Sequence, residues 1–341
     1  MRKTETILEI LRTELRDGIY PAATRFPSEM KLMSRFSAAR LTINKITEQL
    51  VLEGFLERRK QGGGTFVREP NPFPLGHIAY LGPINNLYYS SMLNAIQRTT
   101  FLKGYALTIF SPGENLINYC IEKIGKAKYM GILVCGIGII PYPVSLPLVY
   151  LDNGLPNNNM GLSSVTCDNY QGACNMAKTA LTRGHREILI ITTLSQIEYS
   201  RQLRVKGFSD TLKQYGIQNI EQRIFSDSRF KKFSAKRPLT DALSQFPETT
   251  LLLTDTDEVA VAVYQALCEM NLQDKIAVTG FGNINIIHDM FNFASVEQHP
   301  NEIGIQGVHE LLKRIHDPST KPQEITIETT LVNTEAIPWI R

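Results

Sequence analysis

Apolar positions in the first seventy residues recur with helical spacing three times. Ile7, Leu8, Leu11 and Leu15 mark one face of a helix over residues 6–17, opened by Thr6 and Glu9 at capping-box spacing and closed by Asp17-Gly18. Pro27-Ser28 predicts a second start with Ser28 as N-cap, followed by Met30, Leu32, Met33 and Phe36 for packing. Ile43, Ile46 and Leu50 then predict a third helix over 38–53, stopped by Gly54, with Arg40, Thr42, Asn44 and Lys45 turned outward at its beginning. Two short strand patterns follow, 55–58 and 65–67, joined by a run of three glycines at 62–64 that tolerates positive φ. Three helices and a glycine-tipped hairpin predict a winged helix-turn-helix.

Beyond residue 76 the pattern changes. Strand-like runs at 77–81, 105–110, 131–135 and 148–151 alternate with helical stretches at 92–103 and 116–126. A second series has runs at 188–192, 250–253 and 276–279, with helical stretches at 172–183, 201–215 and 258–270. Strands separated by helices predict parallel sheets covered on both faces, and two series predict two lobes. The expected fold class is therefore α/β, with the winged helix at 1–68, a proline-rich linker at 69–76 and a two-lobed domain at 77–341. Ligands of such sheets bind beyond the carboxyl ends of the strands, which here means the cleft between lobes.

Charge sharpens the first assignment. The chain of 341 residues has net charge +3, but residues 1–70 carry +4 and the remainder −1. Five basic residues fall between Arg25 and Lys45 against Glu29 alone, and Arg58-Arg59-Lys60 follows. Basic clusters flanking a helix-turn-helix point to DNA. The five cysteines include no C-x-x-C pair, so neither a disulfide framework nor a zinc site is expected. The uncharged stretch 130–151 is interrupted by three glycines and three prolines, which argues against a spanning helix. With acids scattered through the first twenty residues, no signal peptide is expected, and a cytoplasmic protein without cofactor is the reading.

Specific residues carry a family resemblance. Phe26-Pro-Ser-Glu29, Arg40-x-Thr42, Glu53-Gly-Phe-Leu56 and Gly62-x-Gly-Thr-Phe-Val67 resemble the DNA-binding domain of GntR-family regulators. The resemblance places Arg40, Thr42 and Asn44 at recognition-helix contacts and Gly62, Gly63 and Thr65 at the wing. Ser28, Lys31 and Lys45 complete the expected DNA-facing set. Met30, Asn44 and Gly63 depart from the family's usual basic residues, so the operator of a relative does not carry over.

The second domain is similar to LacI/GalR-type effector domains. The matching segments include Val149-Tyr-Leu-Asp152, Asp168-Asn-x-x-Gly172, Gly184-His-Arg186, Arg204-x-x-Gly-Phe208, Gly280-Phe281 and Ser295-Val-Glu-Gln298. A GntR reader on a LacI-type sensor resembles the architecture of arabinose-type repressors. It implies a repressor acting as a homodimer on operator DNA and answering to a small carbohydrate, with helices near 92–103 and 258–270, including Ala260, Val261 and Tyr264, as dimerisation candidates.

A sugar needs planar polar groups for its hydroxyls and an aromatic face for its C–H side. By position the candidates are Tyr88 or Tyr89, Asp168, Arg204 with Arg201 as local rival, Asp257 or its neighbours, and Gln298. Asp168 could equally cap a helix, and Gln298 could equally serve a hinge. Asn283 is a further hydroxyl partner. The six histidines form no metal motif, and His185 reads as structural. Readings from other classes are a carbohydrate-binding module and a sugar-acting enzyme using Asp255 and Asp257 as an acid pair. Neither accounts for a DNA-reading N-terminus, so no catalysis is expected.

Overall fold

Residues 3–59, 64–69, 73–140, 144–155, 161–193, 199–231, 235–284 and 290–340 are described by a computed structural model. The chain divides into two units, Met1–Leu75 and Gly76–Arg341.

In the first unit α1 (Lys3–Arg16), α2 (Glu29–Phe36) and α3 (Arg40–Leu52) precede a ribbon of β1 (Leu56–Arg59) and β2 (Gly64–Val67). The ribbon is antiparallel, with Leu56 opposite Val67, and Arg25 bridges Phe66 as a short third strand. Leu11, Phe26, Leu32, Ile43, Ile46 and Leu50 form the core. Ser28 caps α2 as expected, accepting from the Lys31 N–H at 3.4 Å. Gly54 closes α3 with φ +80. Its N–H bonds to the Val51 carbonyl and that of Phe55 to Leu50, the paired bonds of a Schellman end. Thr6 does not cap α1: the helix already runs from Lys3, because nothing in Lys3-Thr4-Glu5 breaks it. Residues 60–63, including Gly62 and Gly63 of the expected wing, lie outside the described residues.

The second unit has two sheets. The first lobe contributes β3 (His77–Leu81), β4 (Ala106–Phe110), β5 (Tyr129–Cys135), β6 (Leu148–Leu151), β7 (Ser163–Cys167) and, from late in the chain, β13 (Glu324–Ile327). All six pair in parallel in the order β13-β7-β6-β5-β3-β4. Its helices are α4 (Leu87–Leu102), α5 (Ile117–Lys126) and α10 (Pro300–His316). Alternate strand residues face opposite sides. Ile78, Tyr80 and Leu133 join Met92 and Ile96 of α4 and Ile303 of α10, whereas Ala79, Leu81 and Ile132 join Ile121 and Ile124 of α5. Both faces are thus covered, which is why the central strands β5 and β6 are apolar throughout.

The second lobe has β8 (Ile188–Thr192), β9 (Ile224–Ser226), β10 (Leu251–Thr254) and β11 (Ala277–Thr279), parallel in the order β11-β10-β8-β9. Helices α6 (Asn169–Thr182), α7 (Tyr199–Gln214), α8 (Lys236–Gln245) and α9 (Asp257–Glu269) flank it. An antiparallel pair, β12 (Ser295–Glu297) and β14 (Thr330–Val332), extends it through bridges Thr279–Ala294 and Gly282–Glu297. The chain crosses between lobes three times: after Cys167, after Glu297, and between Ile327 and Thr330. The uncharged stretch at 130–151 supplies β5 and β6, and among the described residues no helix is long and apolar enough to cross a membrane.

His185 is held where its rank as structural residue predicts. Its Nδ1 lies 2.9 Å from Thr250 Oγ1 and its Nε2 2.9 Å from the Pro338 carbonyl, tying the C-terminal segment to the second lobe. Burial lowers its pKa below the ordinary imidazole value.

Candidate functional site

A cavity of about 210 Å³ opens between the lobes, below the ~300–1,000 Å³ usual for drug-sized ligands and so fitted to a small one. Its walls come from the segments that follow strands. Gly136 and Gly138 follow β5, Asp152 and Asn153 follow β6, Thr256 to Glu258 follow β10, Phe281 and Gly282 follow β11, and Gln298 follows β12. Parallel sheets expose loops and helix N-termini at this end, which is where polar groups can converge.

Arg204, on α7, organises the second-lobe wall. It is 4% exposed and its guanidinium lies 4.0 Å above the Phe281 ring centroid. Nε donates to Asn169 Oδ1 at 2.7 Å, Nη1 to the Asp255 carbonyl at 2.9 Å and Nη2 to Gln298 Oε1 at 2.7 Å. A guanidinium has five N–H groups, so two remain for a ligand in the cavity that Arg204 lines. All three acceptors are neutral, which leaves the positive charge uncompensated by them. Arg201, one turn earlier, also lines the cavity but is paired with Asp255 at 2.6 Å.

Tyr88 and Tyr89 both line the cavity, their rings edge to face at 5.2 Å. The helix expected from Met92 begins at Leu87, capped by Asn86, so both tyrosines occupy its first turn instead of preceding it. The Tyr88 hydroxyl donates to Asp152 Oδ1 at 2.6 Å. Burial pushes this phenol's pKa well up, and the Asp152 carboxylate pushes it the same way, so it remains a donor. Asp152 itself sits at φ +67 directly after β6. Asp152 belongs to a segment that carries the family resemblance but not to the expected ligand set; an acid at a buried strand's carboxyl end is the signal that marks it.

Asp257 is completely buried in the first turn of α9. It accepts from Ser295 Oγ at 2.6 Å and from the Ile284 N–H at 2.9 Å. A Cβ on Gly280 would stand 2.2 Å from Asp257 Oδ1, so only glycine allows this approach. Gln298 accepts from Arg204 and from the Cys167 thiol at 3.6 Å, and burial raises that thiol to about 12, keeping it protonated.

Three expected positions differ. Asp168 does not line the cavity; its carboxylate caps α6 by accepting from the Gln171 N–H at 2.9 Å, and the adjacent Asn169 is what reaches Arg204. Asn283 spends its amide on Glu297 Oε2 and does not itself line this cavity, although Gly282 and Ile284 beside it do. Ala260 is buried in the second-lobe core and cannot serve a dimer surface. The lobes also touch across the opening. Ser200 Oγ donates to the Asp152 carbonyl at 2.6 Å, and Asn86 Nδ2 to Glu258 Oε1 at 3.5 Å.

On the first unit Ser28, Lys31, Arg40 and Lys45 are exposed and Thr42, Asn44 and Thr65 half-buried. Arg40 Nε donates to Glu29 Oε2 at 3.1 Å, and the Asn44 amide, with its nitrogen turned inward, donates to the same carboxylate. Glu29 therefore holds two of the expected DNA contacts in place.

Residues 3–67 match the family described as bacterial regulatory proteins of the gntR family, and residues 177–335 match the periplasmic binding protein-like domain. The chain joins a GntR-family helix-turn-helix domain to a LacI-type, periplasmic-binding-protein-like effector domain. The arabinose metabolism transcriptional repressor of Halalkalibacterium halodurans is 22% identical over 344 residues, spanning 92% of this chain and 89% of that protein. The ribose operon repressor of Escherichia coli K12 is 26% identical over 263 residues, 72% of this chain and 77% of that one. A solved complex of the transcriptional regulator CelR with cellobiose superposes with TM-score 0.67 at 18% identity, covering 86% of this chain and 90% of that one.

Proposed function

We propose that this chain is a DNA-binding transcription repressor whose operator affinity is set by a small carbohydrate held between the lobes. The observation that carries the ligand assignment is the Arg204 cluster. A guanidinium fixed by three neutral acceptors presents two further N–H groups beside Tyr88, Tyr89, Asp152 and Asp257. A planar donor pair matches adjacent hydroxyls, carboxylates accept from others, and the aromatic faces suit the C–H side of a ring. Relatives named for ribose and arabinose operons, and the cellobiose complex, support the same ligand class.

In this reading residues 1–68 read DNA, 69–76 link, and 77–341 sense. Two copies present two readers to a pseudo-palindromic operator. In this reading the chain works without catalysis, and the Asp255 carboxylate serves structure, its Oδ2 accepting from Arg201 and Thr192. The relatives named above are likewise regulators. A thermal-shift screen against pentoses, hexoses, uronates and disaccharides tests the ligand class: a neutral sugar should raise the melting temperature with concentration. No shift with any of them would remove the carbohydrate reading.

A further inference from the structure

The outermost side chain at the beginning of α3 is apolar. Leu41 is 77% exposed and makes no contribution to the core of its unit. The buried residues of α3 are Ile43, Ile46, Thr47 and Leu50. At about 100° per residue, Leu41 points roughly 170° from their mean direction, Lys45 roughly 150°, and Arg40 only about 70°. Whatever α3 is laid against meets Leu41 before it meets Arg40.

The opposite face continues through Glu48 to Leu52, which is 81% exposed. The two ends of this face differ in charge. Exposed Arg40 and Lys45 flank Leu41, with exposed Lys31 on α2, whereas Glu48 and Glu53 flank Leu52. Glu48 and Glu53 are balanced by Arg58 and Arg12, whereas the amino-terminal end keeps Lys31 and Lys45 in excess over the Arg40–Glu29 pair, and there the helix N–H groups also favour phosphate.

We propose that Leu41 is a base-reading residue whose side chain contacts the C5-methyl of a thymine in the major groove. This rests on the DNA-reading assignment of the first unit. Lys45 and the helix amino end supply charge contacts that position the helix, and thymine is the base that offers an apolar group in that groove. An apolar side chain at the point of closest approach thus reads a methyl, where a polar one would read a donor or acceptor. Being exposed, Leu41 can be changed without disturbing the fold.

The test is a cycle between protein and DNA. The full-length protein first selects duplexes from a random pool. Each thymine of the selected sequence is then replaced singly by deoxyuridine, which lacks only the methyl. Wild-type protein should lose about fourfold in affinity at one thymine of a half-site, the worth of one buried methyl, and Leu41→Ala should show no loss there. If no thymine responds, or if Leu41→Ala responds as wild type does, Leu41 does not read a methyl. A pool with no enriched sequence would instead overturn the DNA-reading assignment, and this proposal with it.

Discussion

Arg204 donates to Gln298 at 2.7 Å, and that bond joins a helix of the second lobe to the segment by which the chain returns to the first. Arg204 reaches Asn169 at another crossing, just after Cys167. The guanidinium proposed to meet the ligand thereby touches two of the three crossings between the lobes. A ligand that engages its two remaining N–H groups biases lobe closure, provided it binds one arrangement more tightly than the other.

Arg204→Lys tests this relationship. Lysine keeps the charge but not the fork. Sugar binding and the response of operator binding should be lost while operator affinity without sugar stays at the wild-type value. Because Asn169 and Gln298 lose a donor, the melting free energy should also fall by about 1–3 kcal/mol. Calorimetric titration with the sugar found by thermal shift would expose an error if the variant bound it as well as wild type.

Glu258 lies on the second lobe and Asn86 on the first, linked at 3.5 Å across the cavity mouth. Glu258 is exposed, so its contribution is modest. Glu258→Ala should weaken sugar binding about two- to fivefold by faster release, with stability unchanged. Stopped-flow release kinetics identical to wild type would show that the contact does not hold the lobes shut.

His185 gives stability a pH dependence of known sign. Burial lowers its folded pKa below the ordinary value near 6.5, so between the two values the unfolded chain binds the extra proton. The contribution is complete above about pH 6.5 and is lost as pH falls below it. His185→Gln should flatten the fall in melting temperature between pH 7 and 5. An equal slope in the variant would assign the dependence to other groups.

DNA binding should weaken with salt, log K falling by about 0.9 per phosphate contact for each unit of log salt. The Arg40–Glu29 pair is exposed and weak, so Arg40 can leave it for a base. Arg40→Ala should cost about 1–3 kcal/mol of specific affinity if it reads a guanine. Salt-independent binding, or an unchanged affinity in the variant, would contradict this.

Local signals made the reader readable in advance. Ser28 before a helix and Gly54 after one act through their own backbone neighbourhoods, so a linear pattern reports them. The cleft was harder, for reasons visible at single positions. Asp168 and Asn169 are adjacent and both polar, and only the three-dimensional path of α6 decides which caps the helix and which meets Arg204. Asp152 looks like a turn residue until Tyr88, sixty-four positions away, is folded against it. Helix α4 starts five residues before the expected Met92, and the Asn86 cap is the local signal that marks this start. Strand β13 joins the first lobe through a pairing with β7 that no local pattern encodes.

The central claim is that occupancy of the cleft alters DNA binding, and one titration addresses it. Full-length protein is bound to its selected operator by fluorescence anisotropy, with and without the sugar that raises its melting temperature. The account predicts an operator dissociation constant shifted about 5- to 150-fold at saturating sugar, with the shift absent in Arg204→Lys. A sugar that binds the cleft yet leaves that constant unchanged would contradict it.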